Sequence, residues 1–332
     1  MKIKRWLSGA FCLLFLAACS RNPVNESYNL NFYSDADEIR IGEEYHPQII
    51  KEYGGEYNAP ALRAYVQNIV NRLGDVSHRP QLVYPVTLLD SNEINAFAIP
   101  GGHVYVCRGL LAYINSEAEL AGVMGHEIGH VNAKHGLQRM SKSTGFNLGA
   151  VILSLLLFQD DEDKQNTAYR VGQTVFNVAL LSYSREDEME ADRLGIEYEN
   201  KAGFSPLGVG RVMTMFERLS GVSSQLSTVL STHPASSDRS KQARIEVRKL
   251  EEKGSINREL NRERYLEQIN GLVTSAKGQP VKQLQIYTVQ KGDAWDNLAA
   301  RYFNGDAAKK LAWFNGCELS EPLPARIKLG LF

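Results

Sequence analysis

Residues 125–130 read Gly-His-Glu-Ile-Gly-His. On a helix, His126 and His130 stand one turn apart on one face, so both imidazoles can reach a single ion. Glu127, beside the first, then points into the open coordination position. There it can take a proton from an activated water and later return it to a leaving amine. A zinc ion so held lowers the pKa of its water towards about 7. This chemistry needs a helix to present the pair and a third protein ligand; without them the stretch is a solvated His-Glu-His face.

The flanks supply the helix. Ser116 with Glu119 three residues on is a capping box, and Leu120, Val123, Met124, Ile128 and Val131 recur at helical spacing. A third ligand stands downstream in Ser-Arg-Glu-Asp-Glu-Met-Glu-Ala-Asp, from Ser184. Glu188 and Asp192, four apart, share a helix face. Glu188 can complete a His, His, Glu set, and Asp192 can accept the second N–H of a ligand histidine and hold its tautomer. Glu190 points about 160° away around the helix and is the poorer ligand. His135, five residues after His130, falls off the ligand face and reads as solvated; His46, His78 and His103 have no partner motif.

The elements that carry these residues read as mostly helical. Helices are predicted over 35–54, 60–74, 116–136, 184–202, 206–220 and 236–253, the last with a solvated charged face. Residues 82–90 and 92–111 are rich in β-branched and aromatic types, and Pro100-Gly101-Gly102 breaks the second into two short strands and a turn. The apolar run 146–158 is too short to span a bilayer and reads as a buried core helix, with a segment dipping into a membrane surface as the alternative. A net charge of −1 offers no overall basic field, so no nucleic-acid partner is expected.

Lys2, Lys4 and Arg5 precede an apolar stretch that ends Leu16-Ala17-Ala18-Cys19. Small residues directly before a cysteine resemble a bacterial lipobox, which implies a signal peptide over 1–18 and lipidation at Cys19. An ordinary secretory cleavage site with Cys19 incidental is the alternative. With Ser20 rather than Asp next, the resemblance implies an outer-membrane lipoprotein facing the periplasm. Residues 19–34 read as a membrane tether. Cys107 and Cys317 then remain, two lone buried thiols or, alternatively, a bridge between modules.

The motif order His-Glu-x-x-His then Glu-x-x-x-Asp resembles the CAAX-prenyl-protease type of zinc metallopeptidase, with its HtpX-like and BepA-like bacterial members. The resemblance covers roughly residues 35–250 and implies an α+β fold, a mostly helical zincin-type domain with a small β-sheet, placed here at 35–254. It makes Glu188 the third ligand of one zinc ion, in a gluzincin-type endopeptidase, and Asp192 the group behind the ligands. Ile94-Asn95-Ala96-Phe97-Ala98-Ile99-Pro100-Gly101-Gly102 resembles the edge strand that lines the cleft in that family. Ala96, Phe97 and Ala98 are therefore expected on an exposed edge that pairs with an extended peptide. Asn95 offers its amide to substrate or caps the turn. Thr232-His233-Pro234 through Arg239 resembles the family's loop near the metal. His233 is expected either to stabilise the oxyanion or to act as a fourth ligand that blocks the open site. Arg239 holds a substrate carbonyl or a buried carboxylate.

After a helix and linker at 255–286, residues 287–332 resemble a LysM module through Tyr287, Val289, Gly292, Asp293, Leu298, Ala299, Tyr302 and Asn315, with Ala294-Trp295 and Ala325 as departures. That implies a small β-α-α-β domain, a peptidoglycan partner and aromatics such as Trp313 as sugar platforms. The expectation as a whole is an envelope zinc endopeptidase whose substrates are unfolded or misassembled envelope proteins. A zinc-dependent peptidoglycan hydrolase and a chaperone-like assembly factor with a latent protease site are the alternatives.

Overall fold

The computed structural model describes residues 19–143, 182–219, 227–234, 237–276, 278–303 and 307–330. The predicted signal peptide and the apolar run 146–158 lie outside these residues.

Strands β1 (Cys19–Arg21) and β2 (Tyr28–Leu30) form an antiparallel hairpin. Helix α1 (Asp35–Glu52) starts at a full Ser34/Asp37 capping box, and α2 (Pro60–Asp75) starts with proline at its first turn, where the missing N–H has no partner to lose. Three strands follow: β3 (Val86–Leu89), β4 (Ala96–Ala98) and β5 (Val104–Cys107), in the order β3-β5-β4. β3 runs parallel to β5 and β4 antiparallel to it, with Ala96 opposite Val106 and Ala98 opposite Val104. The Pro100-Gly101-Gly102 turn joins β4 to β5 with both glycines at φ +88°. Residues 108–111, expected as strand, instead begin helix α3 (Arg108–Tyr113).

Helix α4 (Glu117–Asn132) carries the His-Glu-x-x-His stretch, and every residue in it except Val123 is buried. Its apolar face and its glycine- and histidine-bearing face are both covered, which makes it the central helix of the domain rather than a surface one. Ser116 accepts the Glu119 amide as expected, but the Glu119 carboxylate takes the Asn115 N–H and pairs with Arg211 instead of closing the box. Helix α5 (Arg185–Lys201) packs along α4 at backbone distance: a methyl on Gly125 would come within 3.1 Å of Gly195 Cα, and one on Gly129 within 3.1 Å of the Ala191 carbonyl. Glycine there lets the two helices close until a short carboxylate on one reaches histidines on the other.

Helices α6 (Gly208–Leu219), α7 (Ser227–Thr232) and α8 (Ser237–Lys253) cover this pair. Helix α9 (Arg262–Ile269) buries Tyr265, Leu266 and Ile269 in the main core. The chain ends in β6 (Gln285–Thr288), α10 (Trp295–Tyr302), α11 (Ala308–Phe314) and β7 (Arg326–Leu329), with β6 antiparallel to β7 around a small core of its own. This β-α-α-β unit is docked on the larger domain. Lys328, fully buried, donates to the carbonyls of Ala112, Tyr113 and Ile114 at 2.8, 2.9 and 3.0 Å, closing the C-terminal end of α3. Trp313 is half-buried, its indole N–H donating to Glu318 and Lys309 lying over its ring, so it is no open sugar platform here. Cys107 and Cys317 are both free thiols. No described helix is long and apolar enough to cross a membrane.

Candidate metal centre

His126 and His130 turn their Nε2 atoms towards each other, 3.0 Å apart, with near-perpendicular rings. Glu188 reaches across from α5, its Oε1 3.4 Å from His130 Nε2 and its Oε2 3.6 Å from His126 Nε2. His233, just beyond the end of α7, places Nδ1 2.8 Å from Glu188 Oε1 and 3.3 Å from His126 Nε2. The donor atoms of all four lie within 4.8 Å of one another, and all four residues are buried. The rear of each ligand histidine is already engaged: His126 Nδ1 lies 2.9 Å from Asp192, and His130 Nδ1 lies 2.9 Å from His135. Two imidazoles whose only free nitrogens converge on a carboxylate form a nitrogen, nitrogen, oxygen donor set that fits a divalent metal. His126, His130 and Glu188 would hold it.

Burial and neighbouring charge tune the set. Desolvation keeps the His130 imidazole well below its usual pKa, so it offers a lone pair rather than a charge. Burial opposes ionisation of Glu188, but His233, His130 and His126 outweigh it and hold the carboxyl well below the usual range. Burial also pushes the Glu127 carboxyl up, against the pull of His233 and His126. Glu127 Oε2 accepts the Ala98 N–H at 3.0 Å, and its Oε1 lies 3.7 Å from His233 Nε2.

Of the residues expected at the cleft, the structure brings some together and sets others aside. Ala96 lines the cavity beside Glu127, and Ala98 donates its amide to Glu127 there, on a strand with no other strand paired to its outer side among the described residues. Phe97 points the other way, stacked on Tyr105 in a separate cluster with Tyr53. The side chain of Asn95 is buried beside Tyr53 rather than presented to a substrate. Arg239 settles on carboxylates: its Nε and Nη2 donate to Asp192 at 2.7 and 2.8 Å, and Nη1 stands 2.6 Å from Glu188 Oε2 and donates to the Pro234 carbonyl at 3.1 Å. All three nitrogens of the guanidinium are thus engaged within the protein, the buried-carboxylate alternative of the two readings of Arg239. His135, expected as solvated, is corrected: it is 2% exposed and touches a ligand. The spacing predicts a helix that runs on through His135, whereas α4 ends at Asn132 and the chain turns back through Lys134.

Tyr183 joins the site without a signal in the sequence. Its ring stacks on His130 with centroids 3.8 Å apart, and the Arg139 guanidinium lies 3.6 Å above its ring. A lone aromatic one residue before a cap carries no periodicity that would reveal this. On the opposite side of Glu127 opens an apolar cleft walled by Val123, Val209, Val212, Met213, Phe216 and Val229.

The sequence profile of peptidase family M48 matches residues 60–247. The chain belongs to peptidase family M48. The M48 match takes in His126, Glu127, His130, Glu188, Asp192, His233 and Arg239, and leaves out Cys19 and the β6-to-β7 unit. Among relatives, the beta-barrel assembly-enhancing protease of Escherichia coli K12 is 27% identical over 214 residues, 64% of this chain and 44% of that protein. A putative beta-barrel assembly-enhancing protease of Vibrio cholerae is 30% identical over 194 residues, 58% of this chain and 40% of that one. The mitochondrial metalloendopeptidase OMA1 of Schizosaccharomyces pombe is 26% identical over 260 residues, 75% of this chain and 71% of the relative. This M48 chain thus spans less than half the length of the two bacterial relatives.

Proposed function

We propose that the chain is a zinc-dependent endopeptidase of the bacterial cell envelope that degrades misfolded or misassembled envelope proteins. The observation that carries the reading is the convergence of His126, His130 and Glu188 on one point, with Glu127 between that point and the edge of β4. The histidine-rich donor set suits zinc. The lipobox-like Leu16-Ala17-Ala18-Cys19 supports anchoring by lipid, and the bacterial relatives support the setting.

Zinc held there supplies Lewis-acid activation of a water and of the substrate carbonyl. The remaining work belongs to the protein. An extended peptide adds to the open edge of β4, where backbone hydrogen bonds tolerate many sequences. Glu127, buried with a raised pKa, takes the proton of the attacking water and delivers it to the leaving amine. Asp192 keeps the His126 proton on Nδ1, so Nε2 stays free to ligate, and Arg239 holds Asp192 in place. The apolar cleft excludes water from one side of the scissile bond.

Incubating the zinc-loaded chain with an unfolded protein and with its native form tests this reading. Internal cleavage of the unfolded form alone, read by mass spectrometry, is expected; release of single terminal residues, or cleavage of purified sacculi in place of protein, would overturn it.

A second reading rests on His233. Its Nδ1 stands in the donor cluster, where a fourth nitrogen would take the position a water needs. On that reading the site is latent and the chain assists assembly. His233→Ala separates the two: a gain in cleavage marks a blocking role, and a loss marks a catalytic one. The β-α-α-β unit we assign to peptidoglycan, on the strength of its matched residues and the exposed Tyr302 and Leu319.

A further inference from the structure

The end of α4 holds an arrangement that none of the catalytic roles requires. After Asn132 the chain turns through Lys134, whose backbone is left-handed at φ 57°. A non-glycine residue costs on the order of 1 kcal/mol there. The turn throws His135 back across the helix end, so that its Nδ1 meets Nδ1 of His130 at 2.9 Å. His135 Nε2 faces Glu190 Oε2 at 3.2 Å and Asp187 Oδ1 at 3.5 Å. Glu190 Oε1 in turn accepts the Asn25 amide at 3.1 Å, and Asn22 ties the same turn through the Ala133 carbonyl at 3.2 Å. The hairpin β1–β2 therefore braces this corner.

Proton counting leaves one arrangement. His130 directs Nε2 at the donor cluster, where it would give its lone pair to a metal, and the remaining proton of the neutral ring would then sit on Nδ1. That N–H meets a ring nitrogen of His135, which must therefore be unprotonated. The proton of His135 is then on Nε2, where a carboxylate accepts it. On that count one line of hydrogen bonds, ending at Glu190, would hold both rings in tautomer and orientation.

We infer that His135 is a positioning residue for the metal ligand His130, held in its Nε2–H tautomer by Glu190 at the corner that Lys134 turns. The inference rests on the metal reading of His126, His130 and Glu188, and it adds an imidazole acceptor where His126 has the carboxylate of Asp192. Groups behind a ligand histidine typically contribute about 10–100-fold to metal affinity.

The test is zinc affinity of the full chain, measured by competition with a chromogenic chelator, beside the melting point of the metal-free protein. His135→Phe keeps the bulk and removes the acceptor, so zinc is expected to bind about 10–100-fold more weakly. His135→Gln returns an oxygen acceptor and is expected to recover most of that loss. Histidine nitrogen NMR of the zinc-loaded wild type should place the His130 proton on Nδ1 and the His135 proton on Nε2. Equal zinc affinity in wild type and His135→Phe would overturn the role, as would a His135→Gln loss as large as that of His135→Phe, or a His135 ring protonated at Nδ1. A wild type that binds no zinc would remove the metal reading together with this one; zinc binding indifferent to residue 135 would remove this one alone. If His135→Phe does not fold, the glutamine variant and the NMR of the wild type still decide.

Discussion

His126 Nδ1 lies 2.9 Å from Asp192 Oδ1, across the contact between the two helices that build the centre. That single distance joins the ligand helix to the acidic helix and fixes which nitrogen of His126 faces the metal. Asp192→Asn keeps the shape but offers an amide that can turn its NH₂ to the ring. Zinc affinity is expected to fall about 10–100-fold, read by chelator competition at constant pH, with the helical content unchanged.

Arg239 sits between two buried carboxylates, Asp192 and Glu188, and is itself 8% exposed. Removing one partner of such a set leaves uncompensated charge in a dry site. Arg239→Met should therefore lower the stability of the metal-free protein by roughly 3–5 kcal/mol, measured by urea unfolding. An unchanged midpoint would show that the carboxylates do not depend on it.

Glu199 carries a pH dependence. Its carboxyl is buried against the start of α6 at Gly208 and Val209, and desolvation raises its pKa well above 4.5. In the unfolded chain it ionises near 4.5, while in the fold it stays protonated to higher pH. Its contribution is thus present in full below about pH 4.5 and is lost as pH rises towards the folded value. Glu199→Gln removes the effect, so its melting point should exceed that of wild type by a margin that widens from about pH 5 to about pH 8. A constant or shrinking margin would contradict the burial argument.

Lys328 fastens the C-terminal unit to α3 through three carbonyls. Lys328→Met leaves those carbonyls without a donor, so hydrogen exchange should rise in β7 and at residues 112–117 while the metal centre stays protected. Exchange unchanged at both places would mean that other contacts, such as Arg262 with Asn315 and Arg218 with Glu318, carry the docking.

The ligand helix, its N-cap serine and the acidic helix are legible in the sequence because each follows a local rule: apolar spacing, a cap, and carboxylates four apart. The sheet order is not, since β5 pairs on both sides and the parallel partner β3 depends on contacts far along the chain. His135 escapes because its place depends on the left-handed turn at Lys134, and lysine does not advertise such a turn as glycine would. Arg239 is legible as a group for a substrate carbonyl or a buried carboxylate, but the choice is not, because two carboxylates on a different helix, Asp192 and Glu188, decide where it goes. Tyr183 escapes for the same reason, its ring placed by His130 and Arg139.

The most direct test of the central claim is cleavage of casein by zinc-loaded wild type and by Glu127→Gln, with zinc content measured in both. One zinc per chain is expected in each, with activity in the variant lower by about 10²–10⁴-fold. Equal cleavage by the two proteins, or loss of zinc from the variant as the cause of its inactivity, would contradict the assignment of Glu127 as the group that moves the proton.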